Sequence, residues 1–101
     1  MQAIKVTYTV QQGYSEHNKE NIRNVMAELS ALNRSDIRYS TFIENDGKTF
    51  THFAIWKDAE SFKLDSLESF QKFQTELKAS NPEKPPFAAP LTLVGSSYDM
   101  L

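Results

Sequence analysis

The chain carries two imidazoles and no thiol. His17 stands two positions after Ser15, and His52 sits inside the run Thr49-Phe50-Thr51-His52-Phe53-Ala54-Ile55-Trp56. The absence of cysteine excludes a disulfide scaffold, a thiolate zinc site and a cysteine nucleophile. Two histidines without a carboxylate at ligand spacing make no metal constellation. The three glycines lie too far apart for a phosphate-cradling loop. Ser15 beside His17 is not a triad, because a triad is defined by geometry and not by adjacency in the chain. His17 reads as a solvated residue of a polar helical turn. His52 remains, as a general base or as a hydrogen-bond donor to a substrate hydroxyl, since imidazole titrates near neutral pH. The alternative is a partly buried histidine that satisfies a neighbouring strand or an interface. Tyr8 and Tyr39 are phenols able to stack on an aromatic substrate and bond it, provided their strands present the face that carries His52. Trp56 and Phe70 are candidates to line an apolar binding cavity, with Phe62 and Phe73, although helical or strand-end spacing of this kind is also what core packing requires.

Six elements must position these groups. Ile4, Val6, Tyr8 and Val10 alternate with Lys5, Thr7 and Thr9, which predicts a first strand. Ser15 is the expected N-cap of a helix, with Glu16 favoured by the helix dipole in its first turn. Ile22, Val25, Met26, Leu29 and Leu32 form its apolar stripe, and Asn33 suits a left-handed C-terminal position. A second strand is expected over 36–44 and a third over 49–56, joined by Asn45-Asp46-Gly47, where glycine accepts a positive φ without steric cost. Asp58 is the expected cap of a short helical piece containing Phe62 and Leu64. Asp65 or Ser66 caps a second piece, with Glu68 completing a capping box and Phe70, Phe73 and Leu77 as its stripe. Asn81-Pro82 ends it. Pro82, Pro85, Pro86 and Pro90 then punctuate a connecting loop, and a fourth strand is expected over 91–96.

The order β-α-β-β-α-β is the ferredoxin-like arrangement, an α+β fold with a four-stranded antiparallel sheet and both helices on one face. The whole chain, 1–101, reads as one domain. Two helices cover one sheet face only, yet Phe53 and Ile55 lie opposite Phe50, Ala54 and Trp56, and Phe42 lies opposite Ile37, Tyr39 and Ile43. The second face needs a cover. A homodimer in which two sheets face each other supplies it through an isologous interface; a monomer whose C-terminal strand and proline-rich loop fold back is the alternative.

Eleven basic and thirteen acidic residues give a net charge of −2. That balance argues against a nucleic-acid partner. The RNA-recognition motif shares this element order, but Thr49 and Thr51 replace its third-strand glycines and His52 replaces a stacking aromatic. The N-terminus lacks the apolar run of a signal peptide and no stretch could span a bilayer, so no membrane partner is expected and the expected location is cytoplasmic.

The stretch from Thr49 to Phe62 resembles the third strand and following helix start of the antibiotic biosynthesis monooxygenase family: an apolar strand ending in an aromatic, a polar pair, then Ser-Phe. Ser66-Leu67-Glu68-Ser69-Phe70-Gln71-Lys72-Phe73 resembles that family's second short helix. The resemblance implies a dimeric α+β barrel. It also implies oxygenation of an apolar or aromatic substrate without metal or flavin, so no cofactor is expected. A haem-degrading relative would carry its axial histidine where this chain has Gln74, and a tryptophan where it has Asp65. The reading that results is a monooxygenase-like protein with His52 as base or donor and Tyr8, Tyr39, Trp56 and Phe70 around a small apolar ligand. The competing reading is a non-catalytic ligand-binding or stress-related dimer of the same superfamily.

Overall fold

The computed structural model describes residues 1–58 and 63–101. The alternating N-terminal segment forms β1 (Gln2–Thr9), and the apolar stripe that follows forms α1 (Ser15–Ala31). Strands β2 (Ile37–Ile43) and β3 (Thr49–Trp56) make a hairpin, followed by α2 (Glu68–Ala79) and β4 (Lys84–Leu91). The sheet order is β2-β3-β1-β4 with every neighbouring pair antiparallel. This is the ferredoxin-like α+β fold expected from the element order. The residues that follow the expected cap Asp58, 59–62 with Phe62 among them, lie outside the described residues.

Local chemistry explains where the elements stop. Gly47 turns the hairpin at φ 75°, and Asp46 accepts from the backbone amides of Lys48 and Thr49, both at 2.9 Å. Asn33 and Asn81 close the two helices in the left-handed region at φ 52° and 55°. The expected capping residues make other bonds. Ser15 is the first residue of α1 itself, and its hydroxyl donates to the Gly47 carbonyl at 2.6 Å, tying helix to hairpin. Leu67 precedes α2, and neither Asp65 nor Ser66 caps it; the Ser66 hydroxyl bonds the Lys63 carbonyl instead. Glu28 of α1 reaches across and accepts from both the amide and the hydroxyl of Ser69. A carboxylate at a helix N-terminus satisfies amides that have no partner within the helix, and these bonds hold the Glu28 carboxyl below its ordinary pKa. His17 is not simply solvated: its Nε2 lies 2.6 Å from Glu76 Oε1, linking α1 to α2.

The last strand departs from expectation. The proline-rich segment is itself β4, and Leu93 and Val94 lie beyond it outside the sheet. β4 is an edge strand, hydrogen-bonded only to β1. A proline at an edge loses nothing when its missing N–H would point to solvent. Pro90 lies opposite Ile4, and a register shift between Thr7 and Thr9 accommodates the Pro85-Pro86 pair.

The main core lies between helices and sheet. It is built on Tyr8, Val10, Ile22, Val25, Phe50, Phe73 and Leu77. A smaller cluster of Leu29, Ile37 and Leu67 has Trp56 packed against it. Among the described residues no helix is long and apolar enough to cross a membrane.

Candidate functional site

Register places the candidate residues. On the helix-facing side of the sheet, His52 of β3 lies between Val6 of β1 and Thr41 of β2. Tyr8 stands opposite Phe50 and Tyr39 opposite Ala54, so the two phenols are the diagonal neighbours of His52 on opposite sides. Diagonal positions are within reach of aromatic side chains. Tyr8 Oη lies 2.7 Å from His52 Nε2, and Tyr39 Oη lies 2.7 Å from Nδ1, which also has Thr41 Oγ1 at 3.0 Å. The Phe73 ring of α2 covers the imidazole at a centroid distance of 5.4 Å.

The proton order in this cluster follows from its partners. Asn18 of α1 donates from Nδ2 to Tyr8 Oη at 2.9 Å. Tyr8 therefore gives its own proton to Nε2, and Nδ1 carries the imidazole hydrogen, which it shares with Tyr39 and Thr41. His52 is only 4% exposed. Burial disfavours its charged form and lowers its pKa to about 4, so the ring is neutral at pH 7. Burial also pushes both phenols well above their ordinary range, which keeps them protonated.

The cluster borders a cavity of about 380 Å³ between α2 and the sheet. Val6, Tyr8, Tyr39 and His52 form its floor, Phe70, Phe73 and Leu77 its helical wall, and Pro82, Pro85 and Pro86 its rim. Gln74 and Lys78 supply further polar groups. That volume suits a small ligand with an apolar body held by a few fixed polar atoms.

Tyr8, Tyr39, His52 and Phe70, all singled out from sequence, thus meet at one cavity. Trp56 does not join them; it packs in the smaller core cluster. Three contributors were not foreseen. Thr41 required the β2–β3 register. The proline rim required the edge-strand reading of β4. Asn18 did leave a signal, because it lies four residues before Ile22 and so extends the buried stripe of α1. Among the described residues no group of three or more His, Cys, Asp and Glu side chains is placed to hold a metal ion.

No family model matches the sequence, and no curated protein matches it in sequence. Solved structures match the fold. An antibiotic biosynthesis monooxygenase superposes with a TM-score of 0.76 at 13% identity, over 94% of this chain and 100% of that chain. SnoaB, a cofactor-independent oxygenase from Streptomyces nogalater, superposes with a TM-score of 0.70 at 15% identity, over 97% of both chains. The chain has the fold of the antibiotic biosynthesis monooxygenases. A protein of Pseudomonas aeruginosa shares this monooxygenase fold, with a TM-score of 0.75 and 18% identity over 93% of this chain and 94% of that one. At such identities the likeness is one of backbone, and the side chains that fill the monooxygenase fold here have to be argued from their own geometry.

Proposed function

We propose that this protein is a monooxygenase-like enzyme that acts on an apolar or aromatic substrate without metal or flavin. The observation that carries the reading is the neutral Asn18–Tyr8–His52–Tyr39 chain of hydrogen bonds at the floor of an apolar cavity. Both imidazole nitrogens are already bonded, so the atoms offered to a substrate are the phenol oxygens. In the proposed reaction an electron-rich ring bearing an acidic methylene loses a proton to Tyr8 Oη as Tyr8 passes its own to His52 Nε2. The carbanion adds to dioxygen, and the peroxide takes the proton back. Loss of water leaves a carbonyl. One oxygen atom enters the product, the other leaves as water, and the methylene carbon is oxidised as dioxygen is reduced. A buried imidazole with a lowered pKa holds the proton only briefly, which favours its return.

The test is oxygen uptake with a hydroxyaromatic ketone that carries an activated methylene, in the presence of a metal chelator. One dioxygen consumed per quinone formed is expected. Tyr8→Phe should lower the rate by about a hundredfold or more, the usual scale for a positioned proton-transfer group. Binding of the compound with uptake no faster than in buffer would support the competing reading, a ligand-binding protein whose polar groups are already satisfied by one another.

The assembly belongs to the same proposal. On the face away from the helices, Phe42, Thr51, Thr7 and Phe87 form one row across the sheet, and Ser40, Phe53, Lys5 and Ala89 the next. Phe42 is 62% exposed and Phe87 73%. Two copies pairing through this face would remove those rings from water. Light scattering should give about twice 11.6 kDa, and a Phe53→Lys, Phe87→Lys variant should fall to the single-chain mass with its circular dichroism unchanged. A wild-type protein at the single-chain mass at tens of micromolar would refute the pairing.

A further inference from the structure

A second concavity lies outside the candidate active site. It is an open groove of about 950 Å³ between α1 and the free edge of β2. Tyr39 is the one described residue that lines both it and the inner cavity. Its lining is mixed, with Ile22 and Met26 of α1, Ile37 and Ile43 of β2 and Phe50 as its apolar part.

The charges around this groove are segregated. The chain has thirteen acidic and eleven basic residues. Lys19, Arg23, Arg34 and Arg38 all line the groove, and among its described lining residues there is no carboxylate. Two of the four cations are matched from outside it. Lys19 pairs with Glu16, and Arg34 pairs with Asp36. Neither Arg23 nor Arg38 makes an ion pair within 4 Å of a described carboxylate, although the Arg23 charge acts on Glu16 from a longer distance. Arg38 is also held in place: its Nη1 donates to the main-chain carbonyls of Ile37 at 3.0 Å and Arg34 at 3.4 Å. A guanidinium fixed by neutral carbonyls keeps its charge and most of its donors for a ligand.

The strand edge adds donors. Glu44 N bonds Thr49 O and Lys57 N bonds Asp36 O, so the even-numbered residues of β2 direct their backbone groups at β3. The amides of Tyr39 and Thr41 therefore open towards the groove side. Apolar side chains flanked by cations, one of them fixed, by hydroxyls and by free amides are complementary to an apolar chain that ends in an anion.

We propose that the α1–β2 groove, with Arg23 and Arg38 at its walls and no carboxylate among its described lining residues, binds amphiphilic carboxylates. The site shares only Tyr39 with the described lining of the His52 cavity and does not depend on the oxygenase reading. It is tested by fluorescence titration of the full chain with a dansylated undecanoate and with its uncharged methyl ester. The acid should bind saturably at one per chain, and the ester at least about tenfold more weakly, the scale of one charge-assisted bond. Arg23→Gln and Arg38→Gln, singly, should each weaken the acid severalfold and leave the ester unchanged. Equal binding of acid and ester would overturn the proposal. So would acid binding that survives both arginine substitutions but is lost in Gln74→Trp, because the probe would then occupy the inner cavity.

Discussion

Replacing His52 with alanine should destabilise the protein by about 3–4 kcal/mol in urea unfolding, from a cavity in the core together with stranded polar groups. The ring packs against Tyr8 at 5.3 Å, Tyr39 at 5.6 Å and Phe73 at 5.4 Å between centroids, so its loss empties a space walled by three aromatics. It also removes the acceptor of the Tyr8 proton and the main partner of Tyr39. An unpaired buried hydroxyl is costly because water cannot reach it. His52→Phe separates the two contributions: it refills the volume and strands the hydroxyls, so it should cost about 1–3 kcal/mol, the polar part alone. A cost below about 1 kcal/mol for alanine would mean that the ring is neither packed nor bonded as described. The unfolding transition reads this out without any substrate.

The same residue shows how much of the site the sequence disclosed. Alternation put His52 on one face with Phe50, Ala54 and Trp56, and that face proved to be the helix side. Whether Tyr8 and Tyr39 share that face is a condition that parity within each strand leaves open, and the pairing of β1 and β2 with β3 puts both there. Parity does not determine what lies across the next strand. Thr41 reaches Nδ1 because β2 and β3 pair as Thr41 with His52, a register set by the length of the Asn45-Asp46-Gly47 turn. Trp56 shares the face of His52 but sits at the strand end, four residues along, where Leu29, Ile37 and Leu67 enclose it. Its chemistry qualified it, and distance along the strand removed it.

The segment that misled was the one richest in proline. Four prolines in nine positions suggest a loop, because proline cannot donate to a ladder. The fourth strand nevertheless runs through Pro85, Pro86 and Pro90, since an edge strand needs donors on one side only. The ends of the helices were misread for a related reason. Ser15 and Ser66 are good caps by type, but the Gly47 carbonyl of the hairpin takes the first and the nearby Lys63 carbonyl the second, and Glu28 serves α2 from another helix. Local propensity cannot anticipate a carboxylate delivered from forty residues away.

Stability should begin to fall in mild acid, above the range in which most carboxylates are protonated, and His52 should be the cause. Its pKa in the folded protein is about 4, below the value of 6.5 for the unconstrained side chain. Between those values the unfolded chain binds a proton that the folded chain excludes, so acid favours unfolding. The contribution of His52 is complete above about pH 6.5 and is lost progressively as the pH falls towards 4, by roughly 3 kcal/mol in all. The carboxylates with lowered pKa values, Glu16, Glu28, Asp46 and Glu76, lose their contributions further down, from the ordinary carboxylate value downwards. The two causes therefore occupy different windows. Urea midpoints of the wild type should drop steadily from pH 6.5 to 4.5, and those of His52→Phe should stay nearly level over the same range. Parallel declines in the two proteins would assign the acid sensitivity elsewhere. A flat wild-type profile would mean that the folded protein takes up the His52 proton as readily as the unfolded chain, so that burial does not disfavour the imidazolium.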